Sequence, residues 1–217
     1  MKNILIIAPH PDDETLGCGG TLLKLRSKKK NLLIITKLKN KKEYNSYNKE
    51  KELEKIKKKL NLKKIIRLEF TATDLNKGNL KDLINQISIQ INKIKPDTIF
   101  APHLRDAHSD HFYTTYALNH ILKNFRYNFI QRCYLYETLS ETNFNFANKQ
   151  KFIPNVYFDI SKYMNSKLKL LEIYKTEIKK HPFPRSKRAI KSLAILRGSE
   201  SGFKYAESFN LIYERIK

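Results

Sequence analysis

Two short polar clusters hold most of the residues of this 217-residue sequence that could carry out chemistry. The first is the run HPDDE, which contains His10, Asp12, Asp13 and Glu14 and follows a short apolar segment. Acidic residues favour the first turn of a helix, so helix capping alone would account for the acids. Histidine and carboxylate side chains are also common metal ligands. The run therefore predicts either a plain helix start or one half of a metal site.

The second cluster, PHLRDAHSDH, also follows an apolar segment. It contains His103, Asp106, His108, Asp110 and His111. The sequence has six histidines, and four of them lie in these two clusters. Helix capping does not explain why the histidines are concentrated after two strands. A ligand site does explain it, because ligands of open α/β sheets bind beyond the carboxyl ends of the strands. We therefore expect the two clusters to meet at one site.

The spacing of three of these residues predicts a metal centre. His10 and Asp13 are three positions apart at a helix start, so one turn can direct both side chains at one point. His111 lies at the start of another helix and can complete the set. Two histidines and one carboxylate, with a coordination position left open, are typical of a catalytic zinc site. The prediction is one Zn²⁺ per chain, with non-haem iron as the alternative occupant of the same set.

The remaining polar residues of the clusters have predicted roles around that metal. Asp12 adjoins a ligand and is free to act as general base toward a water on the metal. His108 is expected to face the same pocket, with Asp110 fixing its tautomer. Glu14 is expected behind the ligands, and His103 and Asp106 are expected to bind substrate.

The apolar runs and their spacing predict the elements that position these clusters. Continuous apolar runs indicate buried strands, and apolar residues at helical spacing indicate the helices between them. The predicted strands are Asn3–Ala8, Asn31–Thr36, Lys64–Phe70, Asp97–Ala101 and Arg132–Glu137. The predicted helices are Thr15–Lys28, Tyr47–Leu60, Leu80–Ile94 and Asp110–Phe125, the last with Phe125 on its buried face. This alternation predicts an α/β fold with a doubly wound, mostly parallel sheet.

The last third of the sequence has a different character and reads as a C-terminal elaboration. A further strand is predicted at Asn155–Ile160, and helices at Lys162–Lys179 and Ser186–Leu196. We expect one domain over residues 1–217, with a core to about residue 140 and the elaboration over 141–217. Three of its arginines could be surface charge or a rim that meets an anionic part of the substrate. They are Arg185, Arg188 and Arg197.

The composition limits the other classes of function. The net charge of +22 comes from 43 basic residues, mostly lysines spread over many segments. We interpret this as compositional bias and expect no specific nucleic-acid partner, with a polyanion-binding protein holding a structural metal as the alternative. Cys18 and Cys133 form no CxxC pair, and no apolar run approaches the length of a membrane span. These features predict a cytoplasmic protein without a membrane span.

Together, the two clusters resemble the motifs of the PIG-L/LmbE-like family of zinc-dependent deacetylases. PHPDDE matches the family's first motif in full, and HSDH matches its HxDH motif with serine where proline is frequent. The resemblance continues through YETLSET, FIPNVYFDIS, HPFPRS and RGSESGFKYAESF, so it extends over nearly the whole chain. One departure is the segment TKLKNKKEYNSYN after the second strand, which lacks the arginine and glycine that many members carry there.

The resemblance implies a fold and an activity. It implies a Rossmann-like fold and hydrolysis of an N-acetyl group from a small sugar of the N-acetylglucosamine type. It places zinc on His10, Asp13 and His111 and makes Asp12 the general base. It also implies that His108 stabilises the oxyanion or protonates the leaving amine. Family members often assemble, so a homo-oligomer is a further expectation.

Overall fold

Seven strands form one sheet in the computed structural model, which describes residues 1–37, 46–146 and 151–216. The strand order is β3-β2-β1-β4-β5-β7-β6. The five strands β1 to β5 are parallel, and β7 pairs antiparallel with both β5 and β6. The strands are β1 Asn3–Ala8, β2 Lys29–Lys37, β3 Lys64–Thr71, β4 Thr98–Pro102, β5 Arg132–Tyr136, β6 Val156–Asp159 and β7 Ala206–Glu214.

Helices cover both faces of this sheet. They are α1 Asp13–Lys24, α2 Ser46–Leu60, α3 Leu80–Ile94, α4 Ser109–Ile121, α5 Met164–Leu171 and α6 Lys187–Ser201. Alternate residues of a strand point to opposite faces, so Ile4 and Ile6 join the core formed with α1 and α2. Leu5 and Ile7 join the core formed with α3 and α4 on the other face. The continuous apolar run of β1 is therefore explained by burial on both sides.

Glycines in the middle of α1 let this helix approach its neighbours closely. A Cβ atom at Gly17 would overlap the ring of Tyr136, whose hydroxyl donates a hydrogen bond to the Ile7 carbonyl at 2.9 Å. A Cβ atom at Gly20 would meet the side chain of Ile160. The GCGG run is thus a packing feature that brings α1 close to Tyr136 of β5 and to Ile160.

The structure corrects several predictions about the elements. Helix α4 ends at Ile121, and the Phe125 side chain is 76% exposed rather than buried. The helix expected to reach residue 179 is the shorter α5, and α6 continues to Ser201, where Gly202 follows with a φ of 74°. Strand β7 was not predicted. It inserts beside β5, so the C-terminal third completes the same sheet.

The topology puts the two polar clusters together. Strands β1 and β4 are neighbours, and the strand order reverses between them. In doubly wound sheets a crevice opens at such a point beyond the carboxyl ends of the strands. The HPDDE run leaves β1 at this edge, and residues 103–111 leave β4 beside it. Among the described residues, no helix is long and apolar enough to cross a membrane.

Candidate metal centre

Helix α1 begins immediately beyond β1, but its acids do not act as ordinary caps. Asp12 occupies the N-cap position and makes no side-chain hydrogen bond to the helix. Its φ is 132°, a backbone conformation that residues with a side chain rarely adopt. The Asp13 carboxylate instead accepts a hydrogen bond from the backbone N–H of His10 at 2.9 Å. These contacts favour a constructed site over a plain helix start.

Three donor side chains converge in the crevice. Oδ2 of Asp13 lies 3.4 Å from Nδ1 of His10 and 3.2 Å from Nε2 of His111. Two ligands that each lie about 2.0–2.1 Å from a tetrahedral Zn²⁺ are separated by about 3.3 Å. Asp13 therefore has the spacing from both histidines that such an ion requires, and the ligand atoms of all three residues lie within 4.8 Å of one another.

A carboxylate lies behind each of the two histidines. Asp106 Oδ2 is 2.8 Å from His111 Nδ1, and Asp110 Oδ2 is 2.9 Å from His10 Nε2. Such partners fix which ring nitrogen faces a metal and raise its basicity. The sequence suggested other roles for both acids. The Asp110 carboxylate contacts His10, and it is the backbone N–H of Asp110 that contacts His108. Asp106 is buried behind His111 instead of facing substrate.

The charges in this cluster favour a cation. Burial by itself would lower the pKa of His10, but hydrogen bonds with Asp110 and Asp13 raise it to about 9. Burial is likewise outweighed at His111, where Asp13 and Asp106 raise the pKa well above its usual value. Burial alone would raise the pKa of Asp13, whereas His111 and His10 hold it far below its usual range. The donor set and the surrounding negative charge both fit a divalent ion.

Asp12 lies beside these donors without belonging to them. It is buried, and burial together with the neighbouring Asp13 charge raises its pKa well above the usual range. Its Oδ2 accepts a hydrogen bond from Nη1 of Arg185 at 3.0 Å. Its Oδ1 accepts no hydrogen bond from any residue that the structure describes. Asp12 therefore keeps one carboxylate oxygen available to a ligand or a water.

His108 lies next to the donors with a defined tautomer. Its Nδ1 accepts a hydrogen bond from the backbone N–H of Asp110 at 3.1 Å, so the proton of the neutral ring is on Nε2. Its ring centroid lies 4.5 Å from that of His10. Burial and the positive charge of the His10 and His111 rings lower the pKa of His108 to about 4. The neutral ring can therefore donate a hydrogen bond into the crevice.

The crevice is an open pocket of about 550 Å³. Cationic side chains in its wall lie beside carboxylates. Lys37 is 2.8 Å from Glu69, Lys49 is 3.6 Å from Glu177, and Arg67 pairs with Glu50. Both Arg185 and the donors also line the pocket. The described wall therefore offers paired charges and not an excess of positive charge.

Four other predicted site residues lie outside the described pocket wall. His103 packs its ring edge-on against Phe152, with centroids 5.2 Å apart. Arg188 is exposed on α6. Arg197 donates to Glu137 at 2.7 Å and also pairs with Glu200. Of the three arginines, the structure brings only Arg185 to the pocket.

Glu14 is the fourth predicted site residue outside the pocket wall, and its contacts explain its place in the HPDDE cluster. It is buried, and its Oε2 accepts a hydrogen bond from the backbone N–H of Asp12 at 3.2 Å. Its Oε1 accepts a hydrogen bond from the Tyr174 hydroxyl at 2.8 Å. Glu14 thus holds the backbone of Asp12 and does not contact either metal-facing histidine.

Several wall residues were not identified from the sequence. They include Arg67, Glu69 and Thr73 near the end of β3, and Thr138, Ser140 and Glu141 after β5. All follow or approach the carboxyl ends of parallel strands, where ligands bind in such folds. That position was the available signal, since these residue types form no motif of their own.

Comparisons with known proteins identify the family of the chain. Residues 5–122 match the family model described as PIG-L: GlcNAc-PI de-N-acetylase. The diacetylchitobiose deacetylase of Thermococcus kodakarensis is 24% identical over 231 residues, covering 98% of this chain and 84% of that protein.

Two solved structures share the fold. The N,N'-diacetylchitobiose deacetylase from Pyrococcus horikoshii has a TM-score of 0.79 and 23% identity, covering 98% of this chain and 84% of that chain. The conserved protein TT1542 from Thermus thermophilus has a TM-score of 0.80 and 22% identity, covering 100% of this chain and 97% of that chain. These likenesses confirm the predicted mostly parallel α/β fold.

Proposed function

The chain belongs to the PIG-L (GlcNAc-PI de-N-acetylase) family of hydrolases, and on that premise we propose that it removes the acetyl group from an N-acetylated amino sugar. We further propose that one zinc ion, held by His10, Asp13 and His111, takes part in the reaction. The observation that carries this proposal is the spacing of 3.2 and 3.4 Å between Asp13 and the two histidines, beside an oxygen of Asp12 that no described residue binds.

Two further observations support the substrate class. A pocket of about 550 Å³ falls within the range of small-ligand sites, and it suits a sugar with one substituent. The paired acids and bases of its wall can donate to and accept from sugar hydroxyls. The Thermococcus and Pyrococcus relatives are named as diacetylchitobiose deacetylases, which supports an N-acetylglucosamine-type substrate.

When bound, zinc would polarise the acetyl carbonyl and lower the pKa of a water. In this proposal, Asp12 accepts the proton of the attacking water at Oδ1, because Oδ2 is engaged by Arg185. His108 donates a hydrogen bond from Nε2 to the developing oxyanion, since its Nδ1 is held by the Asp110 backbone. The proton taken up by Asp12 then goes to the departing amine. Asp106 and Asp110 orient the two ligand histidines.

The whole chain is proposed to form one catalytic domain, because Arg185 of the C-terminal third contacts Asp12 of the N-terminal cluster. A cytoplasmic location and a homo-oligomeric state remain predictions. Fractionation of the source cells and light scattering of the purified protein would test them.

The test combines metal analysis with a substrate screen. The purified protein should carry about one zinc per chain. It should release acetate from an N-acetylated sugar, with the amine product identified by its mass. The variants His10→Ala and His111→Ala should each lose zinc and acetate release together, because each removes one of three protein ligands. Full zinc occupancy in both variants would contradict the ligand assignment. Iron in place of zinc in the wild-type protein would contradict the proposed identity of the metal.

A further inference from the structure

The roles assigned so far do not explain why Arg185 contacts Asp12. We propose that Arg185 is a positioning residue, which orients the Asp12 carboxylate so that its Oδ1 meets the attacking water. This inference rests on the proposed function, because it concerns the residue proposed there as general base. It replaces the expectation that Arg185 binds an anionic part of the substrate.

Arg185 is itself held firmly in place. It directly precedes Ser186, whose Oγ caps α6 by accepting a hydrogen bond from the Ala189 N–H at 3.2 Å. Its Nη1 also donates to Glu177 at 3.3 Å, and its guanidinium lies 5.7 Å from the centre of the Phe183 ring. The contacts with Asp12, Glu177 and Phe183 therefore limit the movement of the guanidinium.

Other residues hold the backbone of Asp12, but its carboxylate depends on Arg185. The Asp12 N–H donates to Glu14, which the Tyr174 hydroxyl holds in turn. These contacts hold the backbone of Asp12 and make no hydrogen bond to its carboxylate. Among the described residues, Arg185 makes the only hydrogen bond to the Asp12 carboxylate. Arg185 therefore determines which oxygen faces the pocket.

The same contacts argue against a substrate anion on Arg185. Nη1 already bridges the carboxylates of Asp12 and Glu177, and Lys49 lies 3.6 Å from Glu177 on its other side. An incoming phosphate or carboxylate would add negative charge beside these two acids. Holding Asp12 is the role that these neighbours favour.

Acetate-release kinetics of the zinc-loaded protein test this role. Arg185→Ala should lower kcat by roughly 10- to 100-fold, because a misplaced catalytic group costs about that much. The KM should stay within about twofold, and zinc content should be unchanged, because Arg185 holds neither substrate nor metal in this proposal. Guanidinium chloride at millimolar concentration should restore part of the lost kcat, relative to sodium chloride at equal ionic strength. Arg185→Lys should retain more activity than Arg185→Ala.

Arg132→Ala is the matched control. Arg132 also binds a carboxylate, Glu214, at 2.6 Å, but it begins β5 at the opposite end of the strands from the site. This variant should keep the wild-type kcat and should not respond to guanidinium. A raised KM with normal kcat in Arg185→Ala would instead indicate a substrate contact and overturn the proposal. Loss of zinc in step with activity, or an unchanged kcat, would overturn it as well.

A double-mutant cycle supplies a measurement that does not need activity. Urea unfolding is compared for the zinc-loaded wild type, Arg185→Ala, Asp12→Ala and the double variant, because an asparagine at position 12 could still accept the Arg185 hydrogen bond. Coupling between two contacting groups should change the unfolding constant by at least about threefold beyond additivity. Additive effects would mean that Arg185 does not hold Asp12. A wild type that releases no acetate while the cycle shows coupling would refute the proposed function and leave the contact established.

Discussion

Replacing Asp12 with asparagine separates the proposed base from the proposed ligands. The asparagine carbonyl can accept the Arg185 hydrogen bond that Oδ2 accepts at 3.0 Å. Its NH₂ group then occupies the position of Oδ1 and presents a donor where the attacking water needs an acceptor. The substitution changes the shape of the side chain little, but it removes the group that can accept the proton.

The expected magnitude follows from the role of a general base. Removal of such a group typically lowers turnover by about 10²- to 10⁴-fold, which corresponds to about 2.7–5.4 kcal/mol of activation free energy. Zinc affinity should change little, since Asp12 is not among the three converging donors.

Without zinc, the stability of this variant should not fall at neutral pH. The folded protein raises the pKa of Asp12, so it binds this proton more tightly than the unfolded chain does. Ionised Asp12 therefore reduces the stability of the folded state as the pH rises above the unfolded pKa. Asparagine removes that destabilising charge.

The assay measures zinc content, acetate release and thermal unfolding side by side for Asp12→Asn and Asp13→Asn. Asp12→Asn should keep zinc and lose turnover, whereas Asp13→Asn should lose zinc affinity and turnover together. If the acids only started a helix, asparagine would serve as well, because Asn and Asp rank together at the N-cap. Two active variants with unchanged zinc content would refute the reasoning.

Three other predictions concern the residues around the donors. Asp106→Ala and Asp110→Ala should each weaken zinc binding by about 10- to 100-fold in competition with a chromophoric chelator, since each removes the carboxylate behind a ligand histidine; unchanged affinity would show that these carboxylates do not support the ligands. His108→Ala should keep its zinc and lower kcat by about 10²- to 10³-fold in the acetate assay, because its hydrogen bond acts on the developing oxyanion; loss of zinc would make it a ligand instead. Apparent zinc affinity should fall by at least about tenfold per pH unit below about pH 9, because a pKa of about 9 at His10 means that binding must displace a proton; a flat pH profile in chelator titrations would contradict this.

The apolar pattern of the sequence predicted the fold because that pattern is a local property of the chain. Strand β1 has the predicted bounds Asn3–Ala8, and α3 has the predicted bounds Leu80–Ile94. Both carry strong signals, a continuous apolar run in one and helical spacing in the other. Strand β7 has a mixed pattern, and its pairing with β5 joins segments that are far apart in the chain. Its place in the sheet could not be found from local spacing.

The same distinction divides the candidate site. The sequence alone grouped His10, Asp13 and His111, because one helix start and one loop after a buried strand contain these residue types at ligand spacing. Only the tertiary structure decided that Asp110 supports His10 across 100 positions, and that Arg185 reaches Asp12 across 173 positions. Such contacts depend on how helices and strands pack, and a side chain's neighbours in space are not encoded by its neighbours in the chain. The physical reason is that hydrogen bonds and ion pairs act over a few ångströms, so their partners are defined only once packing has brought distant segments together.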